Sequence, residues 1–342
     1  LYFPKIGSAI EADKHKVQLY SNQVFVTDNV KDVLPEFLML LHGVIDSPDI
    51  PLNVSRSSLQ SDTNVKKITT HISKKVADKL SELFKQSRTD FESKWSNIDL
   101  FVKYGMLSDE KFAEKAKEFC LLTDAQDKSY TIDDYKQNIA SLQTDKSGQL
   151  VVLYTNHLEE QYAYVKAAES RGYSVLKLEG PLDNHFTAYL EQHNDKLQCK
   201  RVDADALDKL IPHDKIETAL LSDDQVKQLS ELFEKGKQRA DLTIVAEALS
   251  VSEPLITVTE SEYDRRMRDM SKMNSFNMFG DMPIKYQGVV NTNHAKAKAI
   301  LDLNESDAQV LIKKAISLAL LSKGLLKGAD LNQFVQAEFE KL

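Results

Sequence analysis

The sequence predicts a multidomain chain, an α/β unit followed by an α+β unit. Three observations lead there. The chain is 342 residues long, which is enough for two or three domains. From 150 to 202 short apolar strands alternate with helical patterns, which calls for a small parallel or mixed sheet with right-handed crossovers. After 286 a strand gives way to helices that carry more apolar surface than they can bury alone.

The elements are taken in order. Leu1 to Ile6 reads as a strand, with no Met and no signal peptide ahead of it, so the chain reads as a fragment cut inside a larger polypeptide. Lys16 to Tyr20 and Val24 to Thr27 are β-rich runs around Ser21-Asn22, a hairpin. Leu34 to Leu41 reads as a short buried helix, and His42 to Gln60 as a loop. Asp62 caps a long helix in which Val65, Ile68, Ile72, Val76, Leu80, Leu83 and Phe84 recur at three or four residues. Lys66, Lys67, Lys74, Lys75 and Lys79 lie off that stripe on a solvated face. Helices near 88–103 and 108–121 come next, with Trp95 as a packing residue.

Strands at 150–155, 174–178 and 197–202 enclose helices at 158–171 and 183–193, the first ending at Gly172 as a C-cap. Pro212 closes this unit. A helix at 222–235 precedes extended runs at 242–248 and 255–259 and a strand at 286–290. Asn293 begins a helix, Val310 to Leu321 form another, and Asp330 caps the last, with Leu331, Phe334, Val335, Phe339 and Leu342 on one face.

Composition narrows the function. At 42% hydrophobic and 28% charged residues the chain is an ordinary soluble globular protein. Its longest apolar runs are far short of a membrane span. A net charge of −8 with both signs interspersed argues against a nucleic-acid surface. Cys120 and Cys199 form no CxxC and read as reduced, partly buried thiols of a cytoplasmic protein. No glycine-rich phosphate loop, no metal-ligand spacing of the histidines and no GxSxG elbow occurs.

Three features remain. In the loop, Pro48 and Pro51 stiffen the approach to Arg56, which stands between Ser55 and Ser57, with Gln60 four residues on. Such a guanidinium either presents its donors to an anion or pins its own loop. Met267, Met270, Met273, Met278 and Met282 are five of the seven methionines, joined by Phe276 and Phe279. They form either a packed helix or loop, or a flexible surface for promiscuous binding. The charged run Glu262 to Met270 that opens this segment has a thin apolar stripe and little to bury in a core. Leu311, Ala315, Leu318, Leu321, Phe334 and Val335 either pack within the chain or complete a four-helix bundle with a second copy.

Gly43 to Asp46, Asp49, Pro51 to Asn53, Ser55-Arg56 and Leu59-Gln60 together resemble the catalytic loop in the middle domain of the 90-kilodalton heat-shock chaperones, whose bacterial branch is called HtpG. Val289-Val-Asn-Thr-Asn-His294 is similar to a segment of that family's carboxy-terminal domain. One departure is Ser57, where the family usually has Glu. The likeness runs through the whole chain, strongest at 24–60, 150–211 and 284–294.

The resemblance implies a domain plan. Residues 1–87 would be the remainder of an αβα middle-domain sandwich, ribosomal-S5-like, and 88–124 a helical connector. Residues 125–214 would be a small αβα subdomain, and 215–342 a mixed dimerisation domain ending in a helix bundle. It also implies ATP-regulated folding and remodelling of clients. Arg56, assisted by Gln60 and Asn53, would reach the γ-phosphate of ATP held by a separate amino-terminal ATPase domain. ATP and Mg would belong to the full-length parent, so the chain alone would be no enzyme and hold no cofactor or metal. Met267, Met270, Met273, Phe276, Met278 and Phe279 would meet non-native client proteins. The carboxy-terminal helices would form the homodimer. The implied setting is cytoplasmic, with neither nucleic acid nor membrane as partner. Two competing readings are an α/β small-molecule enzyme with a site at the strand ends of 150–211, and a passive dimeric scaffold.

Overall fold

The computed structural model describes residues 1–3, 17–28, 30, 34–39, 41–48, 63–213, 218–261, 263, 265–266 and 284–340. The chain divides into two compact units. The first comprises Leu1–Thr123, Asp127–Lys136 and Gly180–Tyr189, and the second the remainder.

In the first unit β1 (Val17–Ser21) and β2 (Val24–Thr27) form the expected antiparallel hairpin. Its turn falls one residue later than the sequence suggests, on Asn22 and Gln23, both at positive φ (50° and 66°). Two successive positive φ values match the right-handed twist of the flanking strands. On the other side of β1 lies β3 (Gly43–Asp46), parallel and in register from Val17↔Gly43 to Tyr20↔Asp46. The stretch read as loop from His42 therefore opens as a strand. Gly43 is required there: its φ is +139°, and an added Cβ would stand 2.9 Å from the Leu1 Cα.

The helix expected over Leu34 to Leu41 is only a 3-10 turn, Glu36–Leu38. Pro35 starts it, and Leu38 and Leu41 bond to carbonyls three residues back. That tight turn still buries Leu34, Phe37, Leu38 and Leu41, which is what the apolar run needed.

The long helix is α1 (Thr63–Gln86), followed by α2 (Arg88–Ser108) and α3 (Glu110–Ala116). The Ser87 hydroxyl accepts from the Asp90 amide and starts α2. Asp109 is extended (φ −137°), and its carboxylate accepts from the Lys111 and Phe112 amides. This cap decides the boundary, so α2 runs on to 108 and α3 is shorter than expected. Trp95 packs as expected, 5.9 Å from Phe91, in a core with Ile98, Phe101, Met106 and Phe119. A hairpin that the sequence did not reveal comes next, β4 (Leu121–Thr123) with β5 (Ser129–Thr131), then α4 (Ile132–Ile139). The Lys103 ammonium donates to Asp183 at 2.7 Å, both buried. Cys120 is fully buried, and burial pushes its thiol up to about 12, so it stays protonated and inert.

The second unit opens on the expected parallel sheet. β6 (Leu150–Thr155) lies between β7 (Val175–Lys177) and β8 (Leu197–Arg201). The connection from β6 to β7 is α5 (Tyr162–Ser170), and that from β7 to β8 is α6 (Asp183–His193), whose residues up to Tyr189 belong to the first unit. Helix α5 starts at 162 instead of 158, because the Gln161 carboxamide accepts from the Thr155 hydroxyl (2.5 Å) and the Asn156 amide, holding the preceding turn. Gly172 ends it as expected, at φ +79°, with its amide on the Glu169 carbonyl and that of Tyr173 on Ala168. A short helix, α7 (Leu207–Leu210), comes after the sheet.

Helix α8 (Asp223–Gly236) begins with a reciprocal Ser222–Gln225 capping box. It packs on a mixed sheet in which β11 (Tyr286–Asn291) is central, parallel to β9 (Leu242–Glu247) and antiparallel to β10 (Ile256–Thr259). Helices α9 (Ala295–Leu301), α10 (Glu305–Ser322) and α11 (Gly328–Phe339) complete the unit around Leu229, Phe233, Val258, Val290 and Ile312. Asn293 lies just before the helix it was expected to begin. His294 is the cap, its ring accepting from the Lys296 amide. Asn293 is buried instead and donates to the Thr218 and Leu249 carbonyls. Asp330 is not the cap of α11 either. Lys327 occupies that position, and Asp330 sits in the first turn, where its charge favours the helix dipole.

Candidate functional site

Arg56, Gln60, Asn53, Ser57 and the cap Asp62 lie outside the described residues, as do Met267, Met270, Met273, Phe276, Met278, Phe279 and Met282. What is described is the ground from which each segment departs. Strand β3 delivers the chain toward Arg56, and β10 delivers it toward the methionines.

Beyond β10 the sequence suggested a helix with little to bury. The described residues differ. Arg265 is 1% exposed, lies over the ring of Tyr154 and donates to its hydroxyl. Arg266 donates to both carboxylate oxygens of Glu191 (3.0 and 3.1 Å) and to the Cys199 carbonyl. Both arginines thus contact the β6–β8 layer.

Beside them is a buried ion cluster. Asp203 accepts from Arg201 and from Lys323, just past the end of α10, and Arg201 also donates to Glu260 at 3.2 Å. All four side chains are less than a tenth exposed. Burial pushes the Asp203 carboxyl up, but Lys323 and Arg201 more than offset it and hold it below the usual carboxylate range. Burial pulls the Lys323 ammonium below its ordinary value, a drop that Asp203 only partly opposes. Arg201 ends β8, and Tyr154 is its register partner on β6. Arg201, Asp203, Lys323 and Arg265 thus gather near the carboxyl ends of β6 and β8, the side at which open α/β sheets hold ligands. No sequence signal marked this cluster, because its members are scattered from 201 to 323.

The carboxy-terminal helices present another surface. Leu318 is 48% exposed, and Leu311, Leu321 and Val335 are also exposed. Val310 and Phe339 (68%) are exposed as well. Ala315 and Phe334 are half-buried against their own core. The two helices are tied by the Lys314–Glu338 ion pair.

The profile of the family described as Hsp90 protein matches residues 4–329. The chain belongs to the Hsp90 family. Its Hsp90 relatives include the chaperone protein HtpG of Porphyromonas gingivalis, 47% identical over 305 residues, which are 88% of this chain and 45% of the relative. That of Bacteroides thetaiotaomicron is 44% identical over 310 residues, 90% and 46% of the two chains. That of Bacteroides fragilis is 43% identical over 316 residues, 91% and 46%. The chain spans about half the length of the curated relatives it matches. The mixed α/β architecture with several small sheets fits an Hsp90 domain. Among the described residues, no helix is long and apolar enough to cross a membrane.

Proposed function

We propose that this chain is the client-facing and dimer-forming part of an ATP-dependent, cytoplasmic chaperone of the HtpG type. The observation that carries the reading is the set of exposed apolar side chains on α10 and α11: Leu311, Leu318, Leu321, Val335 and Phe339. Exposed apolar area of that kind marks an interaction surface, and a two-fold pairing of helices is the simplest way to cover it. The relatives' name, chaperone protein HtpG, supports the rest. In this reading the chain alone turns over no ATP. ATP and Mg are bound by an amino-terminal domain of the whole protein, to which Arg56, Gln60 and Asn53 are delivered. The methionine-rich segment meets non-native polypeptide.

Leu318→Glu combined with Leu321→Glu places like charges across the paired face. It is expected to weaken self-association at least about 100-fold. Sedimentation velocity reads this directly, with the helical circular dichroism unchanged. A wild-type sedimentation coefficient for the variant over a concentration series overturns the dimer assignment. Exchanging Met267, Met270 and Met273 for Gln is expected to reduce suppression of aggregation of a denatured substrate protein without lowering the melting temperature. Undiminished suppression removes the client role from that segment.

A further inference from the structure

Strand β10 is an edge of its sheet among the described strands, in the order β10-β11-β9. Its ladder with β11 shows which backbone groups face outward. The Asn291 amide donates to the Leu255 carbonyl, so Leu255, Thr257 and Thr259 are the residues that exchange bonds with β11. The alternate residues, Ile256 and Val258, turn their N–H and C=O to the open edge. One of these groups is engaged: the Val258 carbonyl accepts from the Tyr164 hydroxyl at 2.7 Å. Among the described residues, the Ile256 N–H and C=O and the Val258 N–H take no hydrogen bond along that edge.

That edge does not face open solvent. It forms one wall of a cavity of about 340 Å³, between α5 and α10. Small residues keep the cavity wide: Ala163 and Ala167 on α5, Ala315 and Ala319 on α10. Leu207, Leu255 and Leu318 add apolar surface. Two carboxylates, Asp205 and Glu253, line it, and among the described residues no lysine or arginine does. Burial pushes both carboxyls above their ordinary values. Glu253 is paired with Arg171 at 2.9 Å, whereas the nearest cation to Asp205, Lys209, stands off at 3.9 Å.

We infer that this groove takes an extended apolar peptide carrying a basic residue, which adds to β10 as a fourth strand. Backbone donors and acceptors on a free edge are satisfied by another strand. The slot accepts the alternate side chains, and the loosely paired carboxylate of Asp205 draws the cation. A second copy of this chain is the rival occupant, since Ala315 and Leu318 also belong to the face proposed for dimerisation. The face that copy would bring is that of α10 and α11, however, and a helix has no free backbone groups along its length to offer an edge. The inference rests on the client-binding reading and names a second place, and a backbone chemistry, for holding non-native chain.

The test uses the whole 342-residue chain and a fluorescein-labelled heptapeptide of alternating valine and threonine with one central arginine, followed by anisotropy. The peptide is expected to bind. N-methylation of the alternate residues whose amides face β10 is expected to weaken it about tenfold or more, the loss of one or two hydrogen bonds, while N-methylation of the other set leaves it unchanged. Exchange of the arginine for glutamate weakens it several-fold. Ala167→Trp, on the exposed side of α5, fills the slot and is expected to cost at least about tenfold. No binding of the parent peptide, equal binding of the two methylated forms, or full binding by the Trp variant each overturns the proposal. If the peptide does not bind and Ala167→Trp abolishes self-association, the groove belongs to a second copy and the proposal also falls. The aggregation assay on the methionine variants is independent of all these, so the client role can survive the loss of this groove.

Discussion

If the proposed role of Arg56 holds, Arg56→Ala, made in a full-length protein that carries the proposed amino-terminal ATPase domain, is expected to lower ATP turnover by about two to three orders of magnitude and to leave ATP affinity within about threefold. The asymmetry is the point of the experiment. A guanidinium that meets the γ-phosphate only when the domains close contributes little to the bound ground state and much to the transferring group, where negative charge spreads over the equatorial oxygens. The loss then appears in kcat and not in binding. Arg56→Lys keeps the charge without the planar fork, so it should recover only part of the rate. Turnover by steady-state phosphate release and affinity by equilibrium binding of labelled ATP check both. An alanine variant with wild-type turnover reduces Arg56 to a brace for its own loop. Ser57 sharpens the test: this chain lacks the acidic neighbour usual in the family, so Arg56 has no adjacent carboxylate in sequence to hold it.

Asp203→Asn is expected to destabilise the second unit by about 3–5 kcal/mol, because it strands Lys323 and Arg201 in a buried site without their shared anion. Lys323→Met should cost clearly less, since Asp203 keeps Arg201 and Arg201 keeps Glu260. Urea unfolding of both variants checks the ordering, and equal losses would show that Asp203 does not hold the two cations together. The wild type has a pH signature of its own. A carboxyl held below its unfolded value adds stability that is complete above the ordinary carboxylate range and is lost as pH falls through its folded value. Asp203 is such a group. The acid limb of the wild-type stability curve should therefore flatten in the Asn variant.

Apolar runs of five or six residues were legible in the sequence. Leu150 to Thr155 is such a run, and the structure puts it at the centre of its sheet. Three-residue strands such as Leu121–Thr123 carry no readable period and were missed. Strand β3 was hidden by its neighbours in the chain, since the prolines and serines after Asp46 gave the whole stretch the look of a loop. The helix end at Ser108 was set by the Asp109 side chain, a local contest that apolar spacing does not record. The candidate site divides in the same way. Arg56 and the methionine-rich segment stand out by composition and resemblance, and the exposed leucines of α10 by the excess of apolar surface on the carboxy-terminal helices. The Arg201–Asp203–Lys323 cluster was illegible, because a buried charge looks in sequence like any surface charge until its partners are brought to it. Arg265 is the clearest case: it reads as one of a solvated run and is nearly sealed from water.

The placement of the two cysteines has a practical consequence. Cys120 lies in the first compact unit and Cys199 in the second; both are buried and neither is in a disulfide among the described residues. Nature has thus supplied one silent thiol per unit, each alkylated only while its own surroundings are open. Timed labelling followed by peptide mass mapping would clock the two openings separately in the unaltered protein. Equal rates would mean that the units breathe as one cooperative body, and unequal rates that one loosens while the other holds.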